Sequence, residues 1–275
     1  MVRLVIFTQN TMASIVATRE VLKKHHDAVV AVVLASQLKG ESFLDQLKVA
    51  HKLIRKSSWG FFGYKLVESK VYPLLLRAHG VMGSKAFKEG RADTIESLAR
   101  KYHIPLLQSD DLSNEEFLAK IKELNPDYIL CSVAQILKRK VFETLGKKLI
   151  NAHGSYLPQY RGAAQYVWYL LNGDAQFGVT IHYMEAGMDT GDIIFQRKFE
   201  YSQDWSAYRL HYQIALEWGR MFNEFIEQYA SGEIKAVAQL EEEASVTRMP
   251  TSEDLMLFKE KGKRLMTWHD FKTLL

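Results

Sequence analysis

Residues 2–34 read VRLVIFTQNTMASIVATREVLKKHHDAVVAVVL. Val2 to Phe7 is a short apolar run, interrupted only by Arg3, the pattern of a buried strand. Polar residues Thr8 to Thr11 follow, apolar positions then recur at helical spacing to about Lys24, and Val29 to Leu34 is a second, unbroken run. Parallel strands covered by helices read this way, because neither face of the strand alternates with polar residues.

The same rhythm continues outward from this unit. A helix over Thr94 to Tyr102 leads through Pro105 to a short strand near Leu106. A helix over Glu115 to Leu124 stops at Asn125-Pro126, and Tyr128 to Ser132 and Lys148 to Ala152 are further apolar strands. Strands alternating with helices predict an α/β fold with a mostly parallel central sheet and helices on both faces. After a helix around Gln165 to Leu171, Phe177 to Tyr183 and Asp192 to Phe199 alternate like strands, and Trp205 to Tyr229 is a long amphipathic helix. Residues 1–232 are therefore expected to form the main domain. Residues 233–275, with Glu241 to Glu243, a Pro250-Thr251 turn and Trp268, form a short C-terminal appendage without the length for a core of its own.

One stretch departs from the alternation. Residues from Leu47 to Arg91 form a helical insertion rich in aromatic and basic residues, among them Trp59, Phe61, Phe62, Tyr64 and Tyr72. It reads either as a lid or membrane-surface patch, or as a helical pair whose apolar face packs on the main domain. Aromatic stripes at helical spacing favour the second.

Ligands of open α/β sheets bind at the carboxyl ends of the strands. Thr8 to Thr11, Cys131 to Leu137 and Asn151 to Pro158 should therefore line a cleft. The last of these begins Asn151-Ala-His153-Gly-Ser-Tyr-Leu-Pro158-Gln-Tyr-Arg161-Gly162. Asn151 and His153 lie two apart at a strand end, so both side chains point the same way. An amide donor beside an imidazole can hold one developing oxyanion. Between the two later strands lies Met184-Glu-Ala-Gly187-Met-Asp189-Thr-Gly191-Asp192, whose glycines make a tight loop. A carboxylate on that loop could meet His153 and orient its ring. Taken singly, a histidine at a strand end is usually structural and an aspartate in a glycine-rich loop is usually a turn residue. Their combination points to catalysis. Arg161, beside this segment, is one candidate for gripping a diphosphate, with a purely structural role as the alternative.

Other chemistries fit poorly. No phosphate-binding glycine loop follows the first strand, no G-x-S-x-G frames Ser155, and His79, His103, His182 and His211 are scattered, so no metal site is expected. The chain has 275 residues and a net charge of +4, which suits an anionic ligand but is too small to argue for nucleic acid. Its one cysteine, Cys131, excludes an internal disulfide, and the N-terminus MVRLVIFTQN lacks the apolar core and cleavage site of a signal peptide. A cytoplasmic location follows as the expectation, and no window reaches the ~20 apolar residues of a membrane span.

The two motifs together resemble the formyltransferases that use 10-formyltetrahydrofolate. The matching residues are N-A-H-G-S-Y-L-P-x-Y-R-G at 151–162, N-G-D at Asn172 to Asp174, G-V-T-I at Gly178 to Ile181 and G-M-D-T-G-D at Gly187 to Asp192. The resemblance spans roughly residues 1–230 and implies a Rossmann-like fold and formyl transfer from the folate to a primary amine, without metal. It places the catalytic roles on Asn151, His153 and Asp189. It also implies folate contacts from Gln135, Ile136 and Leu137, from Ser155, Leu157 and Pro158, and from Glu185, Ala186, Gly187 and Met188. His153-Gly154 is more like the sugar-nucleotide N-formyltransferases, since the tRNA-directed enzymes usually carry proline after the histidine. The implied acceptor is the amino group of a nucleotide-linked sugar, with another metabolite, a carrier-bound amino acid, methionyl-tRNA or a non-catalytic folate-binding role as alternatives, and with a homodimer left open.

Overall fold

A computed structural model describes residues 2–36, 55, 57–82, 93–133, 135, 137–229 and 234–273. In chain order the elements are β1 (Leu4–Thr8), α1 (Met12–His25), β2 (Val29–Ala35), α2 (Trp59–Leu66), a π-helical turn (Val67–Val71) and α3 (Tyr72–Met82). Then come α4 (Ile95–Lys101), β3 (Leu106–Ser109), α5 (Glu115–Glu123), β4 (Tyr128–Cys131), α6 (Arg139–Leu145), β5 (Leu149–His153), β6 (Arg161–Gly162) and α7 (Gln165–Asn172). The chain continues through β7 (Gln176–Tyr183), β8 (Ile193–Glu200), α8 (Ala207–Tyr229), β9 (Val246–Thr247), α9 (Ser252–Glu260) and α10 (Trp268–Thr273).

Seven strands form one sheet in the order β3-β2-β1-β4-β5-β7-β8. The first five are mutually parallel, while β7 pairs antiparallel with β5 and β8 antiparallel with β7. All five residues of β1 are buried, as expected of a strand covered on both faces. The chain leaves β1 toward β2 and returns past it to β4, so the reversal of strand order lies between β1 and β4, the position where open α/β sheets form a crevice at the carboxyl ends. Two apolar layers flank the sheet. Leu4, Ile6, Ile15, Val167 and Phe225 belong to one, and Val5, Phe7, Val33, Ile121 and Val141 to the other. The long helix α8 lies against α1. At their crossing a Cβ on Gly219 would come within 2.5 Å of the Glu20 Cβ and 2.9 Å of the Ala17 carbonyl, so only glycine permits the approach.

The expected insertion lies partly outside the described residues, at 47–54, 56 and 83–91. Its described helices pack on the main domain: Phe61, Tyr64, Tyr72 and Leu76 are buried in the larger apolar layer. The contact also carries charge. Glu68 is buried, receives a 2.6 Å hydrogen bond from Lys65 Nζ, and lies 3.6 Å from the Nδ1 of buried His211 on α8. The Tyr64 hydroxyl shares a 3.0 Å hydrogen bond with the same Nδ1, and Tyr166 stacks on the His211 ring at 4.1 Å. Burial works to raise the Glu68 carboxyl, but the Lys65 ammonium beside it outweighs burial and holds it below the ordinary value. Burial pushes the His211 imidazole down to about 4, so the ring is neutral at neutral pH.

Candidate active site

β5 and β7 run antiparallel side by side, with Asn151 opposite His182 and His153 opposite Thr180. This register determines which polar side chains meet. Asn151 Nδ2 lies 3.1 Å from His182 Nε2, while His182 Nδ1 lies 2.8 Å from the Tyr183 carbonyl. A carbonyl only accepts, so Nδ1 carries the proton and Nε2 accepts from the Asn151 amide. Burial, helped by the neighbouring His153 and opposed by Asp189, lowers the His182 pKa to about 4 and keeps that acceptor lone pair in place at neutral pH. The Asn151 amide is thereby fixed with its second N–H directed elsewhere.

His153 is buried, with Nε2 3.0 Å from the Tyr160 carbonyl and Nδ1 3.5 Å from Asp189 Oδ1. Asp189 Oδ1 is also 3.9 Å from His182 Nε2, and Asp189 Oδ2 accepts the Gly162 N–H at 2.9 Å. The three residues expected to carry catalysis thus stand together, tied by the two segments that the sequence motifs mark. Backbone strain collects here. Tyr160, Ala164 and Asp189 all adopt left-handed conformations, with φ of 57°, 58° and 55°. Non-glycine residues in that region each cost about 1–3 kcal/mol and persist only where their surroundings enforce them, commonly at functional sites. Gly162 is also left-handed, at φ 106°, and a Cβ there would meet the Thr247 carbonyl at 2.2 Å.

The folate-facing candidates occupy two settings. Glu185, Ala186, Gly187 and Met188 are exposed on the β7–β8 loop leading to Asp189. Ser155, Leu157 and Pro158 are buried. The Ser155 hydroxyl donates to the Gln159 carbonyl, and the Leu157 N–H donates to Thr180 Oγ1. Gln135 turns its side chain onto the segment after β3, donating to the Asp110 carbonyl at 3.1 Å, and the Leu137 side chain lies in the smaller apolar layer. Ile136 lies outside the described residues.

Arg161 corrects the expectation of a diphosphate grip. It is buried, with Nη1 and Nη2 donating to the two Glu241 oxygens at 3.0 and 2.7 Å, and with Nε and Nη2 donating to Gln239 Oε1 at 3.0 and 2.8 Å. A guanidinium committed to a forked carboxylate and an amide has no edge left for phosphate. Its partners come from the C-terminal appendage, which the sequence gives no reason to connect with the site. β9 pairs with β6, and Gln239 Nε2 donates to the Asp189 and Gly191 carbonyls, each at 2.8 Å. One amide therefore joins Arg161 on the first motif to the Asp189 loop on the second. Gln239→Ala should lower activity about tenfold while leaving the fold intact, because the left-handed Asp189 loses its brace. Circular dichroism beside steady-state turnover checks this, and unchanged turnover would contradict it.

His182 is the other residue missing from the sequence reading. The available signal was a polar residue two positions after Thr180 in an otherwise apolar strand. Among the described residues no group of histidine, cysteine and carboxylate side chains could hold a metal, and no helix is long and apolar enough to cross a membrane.

A family model described as formyl transferase matches residues 2–222. The methionyl-tRNA formyltransferase of Acetivibrio thermocellus is 33% identical over 156 residues, 56% of this chain and 50% of that protein. The one from Clostridium botulinum is 36% identical over 147 residues, 53% of this chain and 48% of that protein. This chain spans about half the length of the curated relatives it matches. Among solved structures, the phosphoribosylglycinamide formyltransferase of Anaplasma phagocytophilum superposes with a TM-score of 0.59 at 16% identity, over 90% of this chain and 99% of that one. WlaRD, a sugar 3N-formyl transferase solved in the presence of dTDP and 5-N-formyl-THF, superposes at 0.55 with 19% identity, over 90% of this chain and 69% of that one. At such identities the likeness is one of fold.

Proposed function

The chain belongs to the formyl transferase family, and on that premise we propose that it moves a formyl group from 10-formyltetrahydrofolate to the primary amine of a nucleotide-linked amino sugar. The observation that carries the transfer reading is the assembly of Asn151, His153 and Asp189 at the carboxyl end of β5, with His182 fixing the Asn151 amide. Residues 1–232 carry the reaction, and the described part of the tail, 234–273, braces it. The amine attacks the formyl carbon, a carbon–nitrogen bond forms, and negative charge builds on the formyl oxygen. The Asn151 N–H not used by His182 and the His153 ring stabilise that charge. Catalytic hydrogen bonds often close only when substrate is present, and the present His153 bond to the Tyr160 carbonyl is the one to be exchanged. Asp189 orients the His153 ring and passes the surplus amine proton toward the departing folate nitrogen. The exposed Glu185–Met188 loop and the 155–158 segment flank the reacting atoms on the donor side.

One observation supports a sugar acceptor: His153-Gly154 follows the sugar-nucleotide pattern. A second reading, with methionyl-tRNA as acceptor, is supported by the identity to the two methionyl-tRNA formyltransferases. Incubating the protein with 10-formyltetrahydrofolate and a panel of amino-sugar nucleotides and charged initiator tRNA separates the readings. Mass spectrometry should show a formyl-sized gain on an amino-sugar nucleotide. A gain on methionyl-tRNA alone would replace the sugar reading and keep formyl transfer.

A further inference from the structure

A cavity of about 250 Å³ lies at the carboxyl ends of β1, β2 and β3, away from His153. Asn10, Ser36, Lys70, Glu96, Gln108 and Asp110 line it. We infer that this cavity holds the ribose of the acceptor's nucleotide, selecting ribonucleotides through the hydroxyl pair that 2′-deoxy forms lack. The inference rests on the nucleotide-sugar reading of the acceptor and deepens it.

The chemistry of the lining makes the choice. Two carboxylates border the cavity, and they repel a phosphate placed between them. Each already holds a hydrogen-bond partner. Glu96 Oε1 accepts from Arg77 at 2.9 Å, and Asp110 Oδ1 accepts from the Ser36 hydroxyl at 2.5 Å. A lining of carboxylates, amides and hydroxyls offers acceptors to hydroxyl donors and donors to ring oxygens, which suits an uncharged sugar. The position agrees with this. In the dinucleotide-binding doubly wound folds, whose glycine loop this chain does not share, an acidic side chain near the end of the second strand takes the ribose hydroxyls. Here the residue just past β2 is Ser36, and its hydroxyl ties it to Asp110 just past β3, so the acid reaches that place from the neighbouring strand.

Distance fits as well. β5, which carries Asn151 and His153, is separated from β2 by β4 and β1, three strand spacings or about 14 Å. An amino sugar at His153 with its ribose over β2 places the diphosphate across the crevice between β1 and β4.

Calorimetry on the full chain with matched pairs (UDP and dUDP, GDP and dGDP, ADP and dADP, CDP and dCDP) tests the inference, with 10-formyltetrahydrofolate binding measured in parallel. For at least one base the ribonucleotide should bind about tenfold or more tighter than its deoxy partner, the usual effect of losing a hydrogen bond to a charged group. Asp110→Asn should erase that preference, and Gln108→Ala should weaken it, with folate affinity unchanged. Both residues are exposed, so the variants should fold. Equal ribo and deoxy affinities for every base, a preference unchanged in both variants, or no nucleotide binding at all would overturn the assignment. Failure of folate binding alone would instead strike the formyl-transfer reading and leave the ribose site standing.

Discussion

His153→Ala and Asn151→Ala should each lower formyl-transfer turnover by about 10²–10³ while the protein stays folded, the usual effect of removing one oxyanion donor. The two variants should differ in their neighbours. Without Asn151, the His182 Nε2 loses the amide that donates to it at 3.1 Å, and a buried acceptor is left open. Without His153, the Tyr160 carbonyl and Asp189 Oδ1 both lose a partner, at 3.0 and 3.5 Å. The losses should not add in the double variant, because both groups serve one developing charge. Steady-state rates with circular dichroism controls measure this. A folded variant that turns over within a few-fold of the parent would remove that residue from the reaction.

Glu68→Ala should be strongly destabilising, by about 3 kcal/mol, because it leaves the partly buried Lys65 ammonium in a contact built for a charge pair. Lys65 is also stacked between aromatic faces, 5.8 Å from the Tyr64 ring centre and 5.9 Å from that of Tyr166. The ammonium cannot leave without losing those contacts. The damage should reach the active site, since Tyr166 follows Gln165, whose Nε2 lies 3.2 Å from His153 Nε2. Urea titration gives the stability change. The double change Lys65→Met with Glu68→Leu, which removes both charges and keeps apolar bulk, should recover most of it. A loss below about 1 kcal/mol for Glu68→Ala would mean that the pair is effectively solvated.

The sheet was legible because its central strands advertise themselves. β1, β2 and β4 are continuous apolar runs, and five of the seven strands are parallel as expected. α6, with its exposed and buried positions mixed over only seven residues, carries no helical stripe strong enough to read. β6 and β9 are two residues each, too short for any period, and their pairing joins positions far apart in sequence. The same distance hid Gln239 and Glu241, whose contacts with Arg161 depend on the path of the tail. Asn151, His153 and Asp189 could be picked from the two motifs. His182 could not, because its role follows from the register between β5 and β7, and strand register is a property of pairing.

The most direct measurement follows an isotope-labelled formyl group on 10-formyltetrahydrofolate by NMR in the presence of the protein and an amino-sugar nucleotide. Transfer by this site predicts that the donor signal decays as an amide formyl signal grows on the acceptor, and that His153→Ala slows both together. A label that stays on bound donor with every amine offered, methionyl-tRNA included, would contradict it.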